Sequence, residues 1–140
     1  MILTQVPIQN QDLIPPRAVQ DILDAMEYST GEKTLKQVVQ EIQNGDSQIW
    51  IKFSDQMEHL ATVVTCIIDL PNKRSCVIEF IGGESVLPHT QDIKAIEDWA
   101  RYNGCADTRI VGREGWVKAL KPNGYQKKYT IVCKDLTGGG

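Results

Sequence analysis

Residues Ser47 to Ile81, SQIWIKFSDQMEHLATVVTCIIDLPNKRSCVIEFI, decide the fold class of this chain. They contain three runs rich in β-branched and aromatic residues, separated by short polar or turn-forming segments. The runs are Ser47–Phe53, His59–Leu70 and Arg74–Ile81, with breaks at Ser54-Asp55-Gln56 and at Pro71-Asn72-Lys73. This pattern predicts a three-stranded antiparallel meander.

The first of these runs alternates in a way that predicts unequal burial of its two faces. Ile49, Ile51 and Phe53 alternate with Trp50 and Lys52. Because successive side chains of a strand point to opposite faces, we expect one of the two faces to be more deeply buried than the other.

A strand and two helices are predicted before the meander. Residues 1–7 alternate and end at a proline, which is typical of a short strand. Pro15 and Pro16 open a helix, and Thr34 caps a second helix that stops at Asn44-Gly45. The apolar stripes of the two helices are Val19, Ile22, Leu23 and Met26, and Leu35, Val38, Val39 and Ile42.

Four further elements are predicted after Gly82-Gly83. Thr90 caps a third helix, whose inward stripe is Ile93, Ile96, Trp99 and Ala100 and whose stop is Asn103-Gly104. It is followed by a short strand (Thr108–Val111), a short helix (Arg113–Leu120) and a last strand (Tyr125–Leu136).

The complete order is β-α-α-β-β-β-α-β-α-β, which predicts one α/β (α+β) domain with a mixed central sheet and helices on both faces. The domain spans residues 1–136, and residues 137–140 form a flexible glycine-rich tail.

Composition excludes several classes of function. No apolar run approaches the roughly 20 residues of a membrane span, and the N-terminus has no basic segment leading into an apolar one, so we expect a cytoplasmic protein. A net charge of −3 argues against sequence-independent binding of nucleic acid, which needs a basic surface.

The four cysteines and two histidines predict neither disulfides nor a metal site. Cys66, Cys76, Cys105 and Cys133 are widely spaced and three lie in apolar runs, which favours buried free thiols over two disulfides. The chain has no CxxC motif, and His59 and His89 have no neighbours that indicate a dyad.

The element order resembles that of the GNAT superfamily of N-acetyltransferases over essentially the whole chain. Local stretches are similar to small, mostly uncharacterised GNAT-like proteins of tailed bacteriophages and prophages. These stretches are Thr34–Val38, Asn44–Trp50, Gly82–Glu84, Trp99–Cys105, and Gly112–Trp116 before Gly124-Tyr125. The resemblance implies a GNAT-like fold and a protein made in the cytoplasm of a bacterial host, incorporated into the virion if it is an assembly component.

In the GNAT superfamily, a Q/R-x-x-G-x-G/A turn before the third helix binds the pyrophosphate of acetyl-CoA through backbone N–H groups. The corresponding segment here, Phe80 to Asp92, lacks that spacing, and Asp92 in the first helical turn would repel a pyrophosphate. We therefore expect no cofactor. If acetyl-CoA does bind, the resemblance assigns it to Ile81, Gly82, Gly83 and Thr90.

The resemblance also implies candidate residues for acid–base catalysis. Glu79 lies where relatives place the general base, and Tyr125 or Tyr129 lies where they place the acid. A second interpretation stays open for each. Glu79 alternates with Val77 and Ile81 and is then a sheet residue paired with a lysine or arginine, whereas a tyrosine at a strand start serves packing.

The motif Gly112-Arg113-Glu114-Gly115-Trp116 has two interpretations. Arg113 at a helix start opposes the helix dipole, so it requires a carboxylate partner such as Glu84 or a bound anion. In the first case Arg113 and Glu84 clamp the turn and Trp116 fills the core; in the second the turn is an anion site.

Two functions follow from the sequence. The departure from the pyrophosphate motif favours a GNAT-like protein without catalytic activity that binds other protein chains of phage or host, as a virion-associated or assembly component, or that self-associates. The alternative is an acetyl-CoA-dependent N-acetyltransferase acting on a primary amine.

Overall fold

The computed structural model describes residues 2–8, 13–28, 31–83, 90–112 and 115–137, with the backbone alone described for Ile2 and Thr90. Several predicted features lie outside these residues: the break at Ser29-Thr30, Glu84, His89, Arg113, and the tail beyond Thr137.

The strands and helices follow the predicted order as far as the fourth helix. The strands are β1 (Ile2–Val6), β2 (Ser47–Phe53), β3 (His59–Leu70), β4 (Lys73–Gly83) and β5 (Asp107–Ile110). The helices are α1 (Pro16–Met26), α2 (Leu35–Asn44), α3 (Thr90–Tyr102) and α4 (Gly115–Leu120), and a 3-10 turn at Lys121–Asn123 follows α4.

The five strands form one mixed sheet in the order β1-β2-β3-β4-β5. The first four strands are antiparallel neighbours, and the predicted meander is the centre of the sheet. β5 pairs with β4 in parallel through four residues, from Ser75↔Asp107 to Ile78↔Ile110. A parallel neighbour requires a crossover connection, which α3 provides.

Local sequence signals begin and end the first two helices. Pro16 is the first residue of α1, where its missing N–H has no helical partner in any case. Thr34 and Gln37 form a reciprocal capping box at the start of α2. Gly45 ends α2 in the left-handed conformation with φ of 85°, which glycine adopts without steric cost.

One face of the sheet is covered by α1 and α2. The buried residues between them are Ile14, Ala18, Ile22, Val38, Ile42, Ile49 and Val64. Leu23, predicted in the stripe of α1, is 40% exposed, and the neighbouring Asp21 is buried instead.

The opposite face is covered by α3 and α4. The buried residues there include Leu3, Trp50, Val63, Cys76, Ile78, Ile93, Ile96, Ala100 and Leu120. Trp50 and Trp99 pack edge to face with ring centroids 5.6 Å apart, and the Trp50 indole N–H donates to Thr65 Oγ1 at 3.0 Å. Both tryptophans serve packing, and for Trp99 this agrees with its place in the predicted inward stripe of the third helix.

The prediction that one face of β2 is more deeply buried is wrong. Ile49 and Ile51 are 1% and 3% exposed, but Trp50 and Lys52 on the other face are 4% and 2% exposed. Helices cover both faces at this central strand, so its alternation does not mark an outer side.

The predicted last strand is not formed with any described residue. Residues 125–136, called the C-terminal arm below, form neither helix nor strand and pair with no described strand, and residues 126–136 are exposed. The chain enters the arm through Gly124, which has φ of 88°. β-forming residue types predict an extended chain, but they do not specify its partner.

All four cysteines are free thiols. Cys76 is buried and Cys66 and Cys105 are half-buried, but Cys133, in the arm, is exposed. The prediction of burial is therefore wrong for Cys133.

Candidate functional site

Glu79 occupies a β-bulge in the middle of β4. Val64 and Thr65 are adjacent on β3, but they pair with Phe80 and Ile78, so Glu79 is an extra residue on β4. The bulge reverses the alternation after it: Phe80 packs with the α1–α2 core and Ile81 with the α3–α4 core. Glu79 and Ile81 therefore lie on opposite faces of the sheet.

Beyond the bulge, β4 and β5 diverge around a cavity. Their ladder ends at Ile78↔Ile110, although β4 continues to Gly83. The cavity has a volume of about 300 Å³ and lies between α1, the end of β4 and the chain that follows β5. Its walls are Asp24, Ala25 and Tyr28, then Glu79–Gly83, then Val111, Gly112 and Trp116.

The Glu79 carboxylate is held by a network on the α2 side of the sheet. Its side chain is 13% exposed, and Lys33 Nζ donates to Glu79 Oε2 at 2.7 Å and to Glu41 Oε2 at 2.8 Å. This ion pair agrees with the interpretation of Glu79 as a sheet residue paired with a cation. Glu79 is also among the residues that line the cavity, so this pairing lies beside the candidate site.

Two shifted pKa values reflect this network. Partial burial disfavours the charged form of Lys33, but hydrogen bonds and charge attraction from Glu41 and Glu79 prevail and raise its pKa. Burial and the neighbouring Glu79 raise the pKa of the Cys66 thiol to about 12. Lys33 is therefore a persistent cation, and Cys66 a persistent thiol, beside Glu79.

Ile81, Gly82 and Gly83, the predicted cofactor-binding residues of β4, line the cavity. Gly82 also has a packing role, because a Cβ atom there would lie 2.2 Å from the Asp21 carbonyl oxygen of α1. Their neighbour β3 pairs with one edge of this segment, whereas β5 pairs with none of it on the other edge. Backbone groups of β4 are thus available to a ligand in the cavity.

Trp116 stands at the β5 side of the cavity. Its ring packs against the α3–α4 core, and a Cβ atom on Gly112 would lie 2.8 Å from Trp116 Cδ1. Glu84 and Arg113 lie outside the described residues, so the clamp and anion interpretations of this motif both stay predictions. Thr90 is the first residue of α3.

The two candidate acid tyrosines are not among the residues that line the cavity. The Tyr125 hydroxyl lies 2.5 Å from Thr108 Oγ1, and the tyrosine packs beside the α3–α4 core. Burial raises the pKa of Tyr125, although the hydrogen bond to Thr108 acts in the opposite direction. Tyr129 is in the arm and 68% exposed. Tyr28 is the tyrosine found on the cavity wall.

Solved structures with the same architecture include proteins described as acetyltransferases. A probable acetyltransferase is 17% identical, with 96% of this chain and 99% of that chain covered and a TM-score of 0.67. A putative acetyl transferase from Pyrococcus furiosus is 17% identical, with 96% and 100% covered and a TM-score of 0.65. An aminoglycoside N-acetyltransferase in complex with CoA is 13% identical, with 97% and 94% covered and a TM-score of 0.63.

The fold is GNAT-like. Neither a protein-family model nor a curated protein sequence matches the chain. At these sequence identities, the likeness to solved structures shows the fold alone.

In this GNAT-like fold, the Asp92 carboxylate at the start of α3 is buried against the sheet. Asp92 Oδ2 lies 2.8 Å from Lys52 Nζ of β2, and the two side chains are 9% and 3% exposed. The nearby cation offsets the negative charge that the sequence analysis expected to repel a phosphate. That objection to phosphate binding is therefore weaker than the sequence indicated.

A second polar cluster, which the sequence analysis missed, joins α1 to β3. Asp21 is 2% exposed; its Oδ2 accepts from Thr62 Oγ1 at 2.8 Å and lies 3.3 Å from His59 Nε2. Arg17 Nε donates to Asp21 Oδ1 at 3.1 Å, and Arg17 also donates to the Leu60 carbonyl. The α1 residues of this cluster are about 40 positions away from its β3 residues in sequence, so only the fold brings the two groups together.

Within the described residues, no group of three or more His, Cys, Asp or Glu side chains is placed to hold a metal ion. None of the helices in that part of the chain combines the length and the apolar character needed to cross a bilayer.

Proposed function

We propose that the protein is an acyl-CoA-dependent N-acyltransferase that modifies a primary amine. The observation that carries this proposal is the cavity between the diverging ends of β4 and β5 with Glu79 on its wall. The proposal is supported by the GNAT-like fold and by a neighbour of the same architecture that was solved with CoA.

The part of an acyl-CoA that carries the thioester suits this cavity chemically. It is a narrow chain with two amide groups. On the protein side, β4 from Glu79 to Gly83 has an edge that β5 does not pair with. Amide groups lying along this edge would form the hydrogen bonds that a neighbouring strand otherwise makes. The acyl carbonyl would then lie close to the bulge.

Glu79 is the group that would receive the proton of the acceptor. The amine nitrogen attacks the thioester carbonyl, the carbon–sulfur bond breaks, and the proton lost by nitrogen goes to the carboxylate. Tyr28 on the same wall is our candidate for returning a proton to the departing thiolate, because Tyr125 and Tyr129 do not line the cavity. Asp24 adds a second carboxylate, which favours a cationic acceptor.

Calorimetric titration of the full chain with acetyl-CoA tests the binding step. We expect a Kd in the micromolar range, with at least about tenfold weaker binding by Ala25→Phe, which fills the cavity. Ala106→Phe is the matched control, because Ala106 is exposed and away from the cavity walls. Absence of binding at millimolar acetyl-CoA would overturn the proposal.

Release of free CoA with a panel of primary amines tests catalysis. Glu79→Gln keeps the shape of the side chain but cannot accept the proton, so we expect kcat to fall by about 100-fold or more. The Kd for acetyl-CoA should stay unchanged in this variant. A variant with full activity would exclude Glu79 as the base.

A second function is favoured by the exposed C-terminal arm. An arm with large exposed apolar side chains is suited to contact with other proteins. The local similarity to phage proteins would make the chain a virion-associated or assembly component. In that case it would need no cofactor, and a chain that binds no acetyl-CoA would support this function over the first.

A further inference from the structure

The cavity beside the end of β4 has an acidic lining. The described residues that line it include two carboxylates, Asp24 of α1 and Glu79 of β4, and none of them is a lysine, arginine or histidine. Asp24 is exposed, so it lies where the cavity opens to solvent. A cleft with charges of one sign concentrates ligands of the opposite sign, and this lining therefore favours a cation.

The charge of Asp24 is not offset within α1. Gln20 Nε2 donates to Asp24 Oδ1 at 2.9 Å. Gln20 is neutral, so this hydrogen bond orients the carboxylate and leaves its charge in place. The last turn of α1 contains no basic residue, although the C-terminal end of a helix carries a partial negative charge that favours cations. Asp24 and the end of α1 thus attract a cation to the same side of the cavity.

Glu79 differs from Asp24 because it already has a cationic partner. Lys33 Nζ lies 2.7 Å from Glu79 Oε2 and 2.8 Å from Glu41 Oε2. In the reaction proposed above, Glu79 receives the proton of the amine that reacts. Asp24 takes no part in that proton transfer, so its charge is available to a second ammonium group of the same acceptor.

We propose that the acceptor is a small aliphatic diamine, in which one nitrogen is acylated and the other is bound as an ammonium group by Asp24. This inference rests on the acyltransferase function proposed above. The reacting nitrogen, in its neutral form, attacks the thioester carbonyl carbon and the carbon–sulfur bond breaks. Its proton goes to Glu79, the thiolate takes up a proton, and the products are free CoA and a monoacylated diamine.

The size of the cavity favours a small acceptor. Its volume of about 300 Å³ is at the lower end of the range for ligand pockets. A short, unbranched carbon chain between two nitrogens fits such a space. The two carboxylates come from different elements, α1 and β4, so one acceptor is in contact with both only if it carries a nitrogen at each end.

Release of free CoA with matched acceptors and acetyl-CoA as the donor tests this inference. Linear diaminobutane, with a nitrogen at each end, and n-butylamine have the same carbon chain and differ in the second nitrogen. We expect the KM of diaminobutane to be about fivefold lower, because an exposed ion pair and the helix dipole each contribute modestly. The kcat values should be similar, because the second nitrogen binds but does not react.

Asp24→Asn removes the charge and keeps an oxygen that accepts from Gln20. The ratio of kcat/KM for diaminobutane over n-butylamine should fall to about twofold or less in this variant. Glu27→Gln is the matched control. It removes the same charge three residues later, at an exposed position that is not among the residues that line the cavity. This variant should keep the ratio of the native chain.

The outcomes separate this inference from the acyltransferase function. Equal kcat/KM for the two amines in the native chain would overturn the diamine acceptor, and this comparison does not depend on the folding of any variant. A preference that Asp24→Asn leaves unchanged, or that Glu27→Gln removes equally, would overturn the role of Asp24. In each of these cases the acyltransferase function stands. No release of CoA with either amine, together with no binding of acetyl-CoA, would overturn both.

Discussion

At the scale of single residues, Gly82 connects the candidate site to the packing of α1. A Cβ atom at this position would lie 2.2 Å from the Asp21 carbonyl oxygen, which belongs to helical backbone and has little freedom to move. We expect Gly82→Ala to lower the free energy of unfolding by about 1–3 kcal/mol or more, measured by urea denaturation.

The control for this substitution is Gly115→Ala. Gly115 is the first residue of α4, it has no atom within 4 Å of the added Cβ, and alanine favours helix. This variant should be neutral or slightly more stable than the native chain. Equal loss of stability in both variants would contradict a specific contact between Gly82 and α1.

The contribution of Lys33 to the free energy of unfolding can also be measured with a single substitution. Lys33→Met leaves the mostly buried Glu79 carboxylate without its cation, and we expect a loss of about 1–3 kcal/mol in the free energy of unfolding. The double variant Lys33→Met with Glu79→Leu should recover part of this loss, because the more deeply buried of the two carboxylates is then removed; Glu41, which is 32% exposed, still lacks its cation. An additive loss in the double variant would show that the two residues do not interact.

Candidate residues were predictable from sequence only where local pattern determined them. Glu79 was singled out by its place in the fourth strand, and a cationic partner was among its predicted alternatives. The identity of that partner was not predictable, because Lys33 lies 46 positions away. The tyrosines were chosen by the same positional argument, but the turn after α4 carries Tyr129 into the arm, away from the cavity.

At the scale of elements, the cluster of Asp21, His59 and Thr62 attaches α1 to β3. Burial lowers the pKa of His59 below 6.5; Asp21 opposes this shift and Arg17 adds to it. The unfolded chain therefore binds a proton at His59 at higher pH than the folded protein does. The resulting contribution to stability is complete above pH 6.5 and decreases as the pH falls toward the folded pKa.

Thermal unfolding of native chain and His59→Gln between about pH 7 and pH 5 measures this contribution. The native chain should lose Tm with acidification more steeply than the variant, since glutamine does not titrate. Parallel Tm profiles for the two proteins would contradict the assignment.

Elements bounded by proline or glycine signals were predicted well, whereas features that depend on the pairing of strands were not. Proline and glycine signals placed the helices and the turns of the meander close to their observed limits. The bulge at Glu79 was missed because a bulge depends on the register of two strands rather than on residue type in one. The last strand failed for the same reason, since β-forming residues in the arm have no described strand to pair with.

At the scale of the whole molecule, charge is separated between the C-terminal arm and the rest of the chain. The arm contains three lysines and one aspartate, a net charge of +2, which leaves −5 for the remaining residues. If the arm binds another protein, as the second function requires, the Kd for an acidic partner should increase with ionic strength, because salt screens the attraction between opposite charges. Lys128→Glu with Lys134→Glu reverses the charge of the arm and should weaken this binding most at low salt. Calorimetric titration at several salt concentrations measures both effects, and a Kd independent of salt would contradict an electrostatic contribution.

The bulge at Glu79 also makes residue 79 dispensable to the strand ladder. If Glu79 were deleted, Thr65↔Ile78 and Val64↔Phe80 would become consecutive pairs of a regular ladder, so Phe80 would stay in the α1–α2 core and Ile81 in the α3–α4 core. Gly82 would still face the backbone of α1. Loss of the residue at position 79 should therefore remove its carboxylate from the candidate site while both cores stay in place.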